Sequence, residues 1–251
     1  MMKRTTTVIF CIVLLSGLVA TAGNFRYVSG GRLAVDKRYD ADVDPVLEKR
    51  LRSWQSRLEG QMNQVIGHCD RTLSVEHPEG SLNNLCTDML LAQTREVIGL
   101  PADAALLNNR GIRRSLPQGD ITVGMVYEAL PFDDEVVVLE LKGSDLQRLV
   151  EAVARRGTET FANIRLTVRG NRLESFTIGG EELDPDRIYR LATIDYLAAG
   201  SGGMSPLRRA LSSTPTGHYL RDCMIREIEM LTRAGQTVKG EVDGRFKRVE
   251  P

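Results

Sequence analysis

In residues 106–132 an apolar pair, Leu106-Leu107, runs into Asn108-Asn109-Arg110-Gly111-Ile112-Arg113, and a polar turn and short helix then close at Pro131-Phe132. That order of residue types reads as a strand, a tight loop and a return. It fixes where a strand must stop and which side chains stand at its end. Asn and Gly tolerate the positive φ angles of a sharp loop, so the turn is expected to project Arg113 from a fixed backbone. A guanidinium held in that way suits an oxyanion, because its planar fork matches carboxylate or phosphate geometry. An ordinary strand-to-helix turn with solvated arginines accounts for the same residues equally well.

The segments around this stretch set the fold class. Asp44-Pro45 is a helix start, with Asp as cap and Pro in the first turn. Val46, Leu47, Leu51, Trp54, Leu58, Met62, Val65 and Ile66 follow at helical spacing, which predicts a helix with one buried face. A second helix is expected over 81–99 with Leu82, Leu85, Met89, Leu90 and Val97 buried. Val136, Val137, Val138 and Leu139 form an apolar run suited to a strand over 135–141 that is covered on both faces. An amphipathic helix over 143–156 carries Leu146, Leu149, Val150 and Val153. Arg169-Gly170-Asn171-Arg172 separates two alternating runs, a hairpin signal. A strand over 187–194 and a helix over 219–232 complete a single α+β domain with a mixed β-sheet packed by helices.

At the other end, residues 1–22 combine Lys3 and Arg4, an apolar run over 8–19 and Ala20-Thr21-Ala22. This is the pattern of a secretory signal peptide, and the run is short for a spanning helix. The expectation is an exported bacterial protein, periplasmic or extracellular, with an extended lead-in over 23–43, a domain over 44–251 and no transmembrane segment in the mature chain. The 33 basic and 33 acidic residues balance. With no basic tail or block there is no footprint for nucleic acid. Past the signal the cysteines are Cys69, Cys86 and Cys223, an odd number for an oxidising compartment. One pair could bridge, and their spacing does not fit a zinc site.

Four elements in one order carry a resemblance. Asn108-Asn109-Arg110-Gly111-Ile112-Arg113, Gly119-Asp120-Ile121-Thr122, Leu130-Pro131-Phe132 and Leu141-Lys142-Gly143 resemble the C-terminal domain of the 5'-nucleotidase and UDP-sugar hydrolase family, over about residues 64–249. There the first element reads Asn-Gly-Gly-Gly-Ile-Arg. The resemblance implies a substrate-recognition domain that binds a nucleotide or nucleoside, with Asn108, Arg113, Phe132, Asp134 and Tyr196 as substrate-binding residues. Phe132 and Tyr196 would be the two walls of a base slot, a stack worth on the order of 1–3 kcal/mol per base. Asn84, at the start of the second helix, and Arg110 would stand on the phosphate side, with simple helix capping the other role open to Asn84. Three positions depart from the family pattern. Gly202 stands where the family holds the ribose with an aspartate, Pro78 falls near an expected arginine that Arg71, Arg110 or Arg114 would replace, and Asp134 occupies a position that is asparagine in some members.

In that family hydrolysis belongs to an N-terminal metallophosphatase domain whose two metals are held by Asp-x-His, Gly-Asn-His and His-x-His motifs. A dinuclear site needs several such ligands to activate water and clamp the phosphoryl oxygens. The three histidines, His68, His77 and His218, are scattered and stand in none of those motifs. The resemblance therefore implies no catalytic residue, metal ligand or cofactor in this sequence, and divalent metals only in a partner. Three functions follow from it. The first is recognition in a split 5'-nucleotidase of nucleotide catabolism, with chemistry from a separately encoded metallophosphatase. The others are a stand-alone nucleoside- or small-ligand-binding pseudoenzyme and a free-standing phosphoester hydrolase.

Overall fold

The computed structural model describes residues 30–34, 36–39 and 43–250. The signal-peptide reading of residues 1–22 lies outside them, as does much of the 23–43 lead-in. Internal contacts divide the chain into a unit ending at Leu51 and a compact body beginning at Arg52.

Helix α1, Pro45–Met62, begins where the Asp-Pro signal puts it. The Asp44 Oδ1 accepts from the backbone N–H groups of Val46 and Leu47 at 2.8 and 3.3 Å, which satisfies two otherwise orphaned donors. Its apolar stripe departs from expectation. No residue of α1 is buried, and Leu51 and Trp54 are 58% and 64% exposed. The spacing gives the helix an apolar face, but nothing among the described residues covers it.

The body continues with β1 (Val65–Cys69), α2 (Ser81–Glu96), β2 (Ala104–Asn108), β3 (Gly119–Thr122) and α3 (Val123–Ala129). Then come β4 (Glu135–Lys142), α4 (Gly143–Arg156), β5 (Glu159–Ala162), β6 (Ile164–Arg169), β7 (Arg172–Ile178) and β8 (Ile188–Ile194). The chain closes with α5 (Asp195–Ala198), β9 (Ser212–Tyr219), α6 (Leu220–Arg233) and β10 (Phe246–Val249). The main sheet has the order β5-β2-β8-β4-β9 and is mixed, since β2 runs parallel to β8 while the other pairs are antiparallel. The β6-β7 hairpin gains β10 in parallel, and β1 pairs with β3.

These elements follow from local patterning. Val136 to Leu139 of β4 are all buried, and so are Leu146, Leu149, Val150 and Val153 of α4, whose 3–4 spacing turns them toward β4, β7 and β8. Each contributes roughly 1.5–3 kcal/mol of hydrophobic stabilisation. On α2, Leu82, Leu85, Met89 and Leu90 are buried toward β2, β5 and α6. That helix ends at Glu96, so Val97, expected on its buried face, lies at its cap. The three body cysteines are buried free thiols rather than a bridge, and the Cys69 thiol donates to the Pro117 carbonyl at 3.0 Å.

Candidate functional site

Sheet topology decides where the chemistry collects. Because β2 is parallel to β8, with Ala105 opposite Ala192, both strands end at one edge of the sheet. Because β4 is antiparallel to β8, with Val136 opposite Ile194, β4 begins at that same edge. Three segments far apart in sequence therefore meet: the loop after β2, the turn before β4 and the helix after β8. They enclose a cavity of about 310 Å³ lined by Asn108, Arg110, Gly111, Arg113, Phe132, Asp134, Ile194 and Tyr196. Hollows of about 440 and 700 Å³ elsewhere are lined by mixed charged, polar and apolar residues and carry no pair of aromatic faces.

The first wall is the loop after β2. Asn109 is buried; its side-chain oxygen accepts from the Thr160 hydroxyl, its amide nitrogen lies 3.3 Å from His77 Nδ1, and its backbone N–H donates to the Thr158 carbonyl. Ile112 is buried as well, and the Arg113 N–H donates to the Ala129 carbonyl at 2.7 Å. Arg113 thus leaves a pinned backbone. The turn is made differently from expectation, since residues 109–111 form one 3-10 turn and none of residues 108–113 has a positive φ. Gly111 sits close to a neighbour: a Cβ there would lie 3.0 Å from the Asn108 Oδ1, so the Asn108 side chain would have to shift. Among the described residues neither Arg110 nor Arg113 has a carboxylate partner, and Arg113 reaches only the Arg110 carbonyl at 3.3 Å.

The second wall is the turn before β4. Phe132 is 48% exposed, and what fixes it is a residue the motifs do not include. Arg221, on α6, donates from Nη1 to the carbonyls of Leu130 and Phe132, both at 3.3 Å, and from Nη2 to Asp133 Oδ1 at 2.6 Å. Its guanidinium also lies 4.1 Å from the centre of the Tyr127 ring. No local signal marks Arg221, because its partners are about ninety residues away in sequence. Asp134 is half-buried. Burial, reinforced by Asp195 and Asp133 and partly offset by Arg221, holds its carboxyl above the usual range. Opposite, Tyr196 is 47% exposed on α5, where buried Leu197 anchors it and its N–H donates to Asp195 Oδ1 at 2.8 Å.

The 5'-nucleotidase C-terminal domain family model matches residues 46–209, a segment containing every residue that lines the cavity. The chain belongs to that family. Protein UshA of Yersinia enterocolitica is 29% identical over 209 residues, covering 79% of this chain and 38% of the relative. The trifunctional nucleotide phosphoesterase protein YfkN of Bacillus subtilis is 28% identical over 83% of this chain and 15% of its own length. Among solved structures, the 5'-nucleotidase precursor from Thermus thermophilus superposes with a TM-score of 0.71 at 27% identity, covering 81% of this chain and 43% of that one. The chain thus spans less than half the length of each of these relatives.

The 5'-nucleotidase C-terminal domain here places the remaining candidates away from the cavity. Asn84, expected on the phosphate side, is fully buried, and its amide donates to Glu79 Oε1 and the Glu241 carbonyl, both at 2.7 Å. It ties α2 to the chain after α6, and neither bond reaches the cavity. Asn83 is likewise buried, bonded to the Glu76 backbone. Arg71 pairs with Glu241 and Arg114 with Glu128, so of the three arginines considered near the Pro78 departure only Arg110 faces the cavity. Asp195, at the start of the helix that follows β8, lines a neighbouring hollow. Gly202 has φ of +62°, and a Cβ there would meet Tyr196 Cε1 at 3.5 Å. Among the described residues no group of three or more His, Cys, Asp or Glu is arranged to hold a metal ion, and no helix is long and apolar enough to cross a membrane.

Proposed function

We propose that this domain recognises a nucleotide or nucleoside for a 5'-nucleotidase-type hydrolase of nucleotide catabolism, outside the cytoplasm, with the phosphoryl chemistry supplied by a separately encoded metallophosphatase. The observation that carries this reading is the cavity with Phe132 and Tyr196 exposed on it and two unpaired guanidiniums at its rim. Two aromatic faces suit a flat base, and Arg110 and Arg113 suit a phosphoryl group. The domain's own part is to bind and orient. Asn108, Arg113, Phe132, Asp134 and Tyr196 hold the ligand, and Arg110 steers its anionic end. The relatives' printed names, a nucleotide phosphoesterase and a 5'-nucleotidase among them, support the ligand class. Two divalent metals, held by the partner, would activate the attacking water.

A second reading, a stand-alone binder, draws support from Gly202, which puts no carboxylate where the family resemblance places a ribose ligand. Calorimetric titration with adenosine, AMP and UDP-glucose, followed by a phosphate-release assay with divalent metal, tests both. Recognition predicts binding without release by this chain alone. Phe132→Ala should weaken nucleoside binding about tenfold or more, the equivalent of about 1.4 kcal/mol of lost stacking. Arg113→Ala should weaken AMP more than adenosine. Unchanged affinity in Phe132→Ala removes the base slot, and equal losses in Arg113→Ala make that arginine structural.

A further inference from the structure

The cavity is chemically lopsided. Arg110 and Arg113 supply two cations without carboxylate partners, Phe132 and Tyr196 supply flat faces, and Asp134 is the carboxylate that lines the space. No donor among the described residues hydrogen-bonds the Asp134 side chain. The nearby cation, Arg221, already donates to Asp133, and the other close charges, Asp133 and Asp195, repel it. Its two oxygens remain open to the cavity and to solvent. They are acceptors that a bound ligand can meet with a pair of donors.

An ionised carboxylate only accepts, through two oxygens that can take two parallel N–H groups. Purine and pyrimidine edges differ sharply in that respect. Adenine and cytosine present an acceptor nitrogen next to an amino group, so one of their two atoms would face a carboxylate oxygen lone pair to lone pair. Uracil and hypoxanthine present a single N–H beside a carbonyl. Guanine presents N1–H and the 2-amino group side by side, both donors.

We propose that Asp134 is the specificity-determining residue of this site and that the ligand it selects is a guanine nucleotide. The carboxylate takes N1–H and the 2-amino group, Phe132 and Tyr196 cover the ring, and Arg110 and Arg113 meet the phosphate. This inference rests on the reading of the cavity as a nucleotide site. It goes beyond that reading by naming the base and the residue that reads it.

Calorimetric titration of the full chain with GMP, IMP and AMP at pH 7.5 tests the proposal. GMP should bind about tenfold or more tighter than AMP, because a polar group left facing a mismatched edge costs more than a lost contact. IMP, which lacks the 2-amino group, should fall between them. Asp134→Asn replaces one acceptor by a donor and should bring the GMP-to-AMP ratio to unity or invert it. Asp134→Glu keeps the acceptor pair and should keep the direction of the preference at lower affinity. A thermal melt of each variant separates loss of recognition from loss of fold. AMP binding as tightly as GMP, or a ratio unmoved in a folded Asp134→Asn, overturns the assignment to Asp134 while leaving nucleotide recognition standing. Failure of all three nucleotides to bind overturns nucleotide recognition itself, and the guanine preference with it.

Discussion

Arg221 lies outside the cavity lining, yet the wall that carries Phe132 hangs from it. Its fork holds two backbone carbonyls and the Asp133 carboxylate, and its flat face covers Tyr127. A lysine keeps the charge but cannot span those acceptors at once. Arg221→Ala should destabilise the domain by on the order of 2 kcal/mol, the scale of charged hydrogen bonds lost at a mostly buried site. Arg221→Lys should fall between Ala and wild type. A purely structural brace would show only in the melting temperature. A brace that positions Phe132 should also weaken nucleoside binding well below either melting point, and calorimetry should record that loss as a less favourable binding entropy, because the loop must then be ordered by the ligand. Unchanged affinity at low temperature would leave Arg221 with stability alone.

Among the elements, those whose identity rests on near neighbours in sequence could be read directly. The buried run of β4, the 3–4 stripe of α4, the β6-β7 hairpin and α6 all stand within a residue or two of where periodicity puts them. The residues around the cavity are pointed to by the family motifs; periodicity alone marks only where an apolar run such as Leu106-Leu107 stops. What periodicity cannot supply is the far side of a contact. It marks Asn84 as a residue at a helix start but not its tie to Glu241, and Gly111 as permissive but not the nearness of Asn108. Helix α1 shows the same gap most plainly, with an apolar stripe predicted and no cover for it among the described residues. Trp54 is the chain's one tryptophan and is 64% exposed, so tryptophan-selective fluorescence reports on this helix. Emission should be that of a solvated indole and open to acrylamide quenching, and Trp54→Ala should shift stability by no more than about 0.5 kcal/mol, as for an ordinary surface site. Blue-shifted, protected emission, or a cost of about 3–5 kcal/mol as for a buried Trp, would mean that the stripe is covered in solution.

For the molecule as a whole, the proposed division of labour sets the cavity apart from the phosphoryl chemistry. Everything that lines the cavity falls between Asn108 and Tyr196, and the sequence contains none of the histidine and carboxylate motifs that a dinuclear phosphatase centre needs. Phe132, Tyr196, Arg110 and Arg113 are all exposed at one sheet edge; on the proposed reading the base lies between the rings and the phosphoryl group extends past the arginines. A recognition domain built in this way acts on catalysis by raising the effective concentration of correctly oriented substrate at a neighbouring centre. A binder that works alone has the opposite effect and withdraws the same substrate. Adding this chain in increasing amounts to an isolated metallophosphatase domain of the family, with limiting nucleotide and divalent metal, distinguishes them by sign. Assisted hydrolysis predicts phosphate release that rises and saturates with added chain, no release from the chain alone, and little stimulation by Phe132→Ala or Arg113→Ala. Sequestration predicts release that falls as wild-type chain is added and recovers with those variants. Metal-dependent release from the chain alone would overturn both, since the phosphoryl chemistry would then lie in residues that neither reading assigns to it.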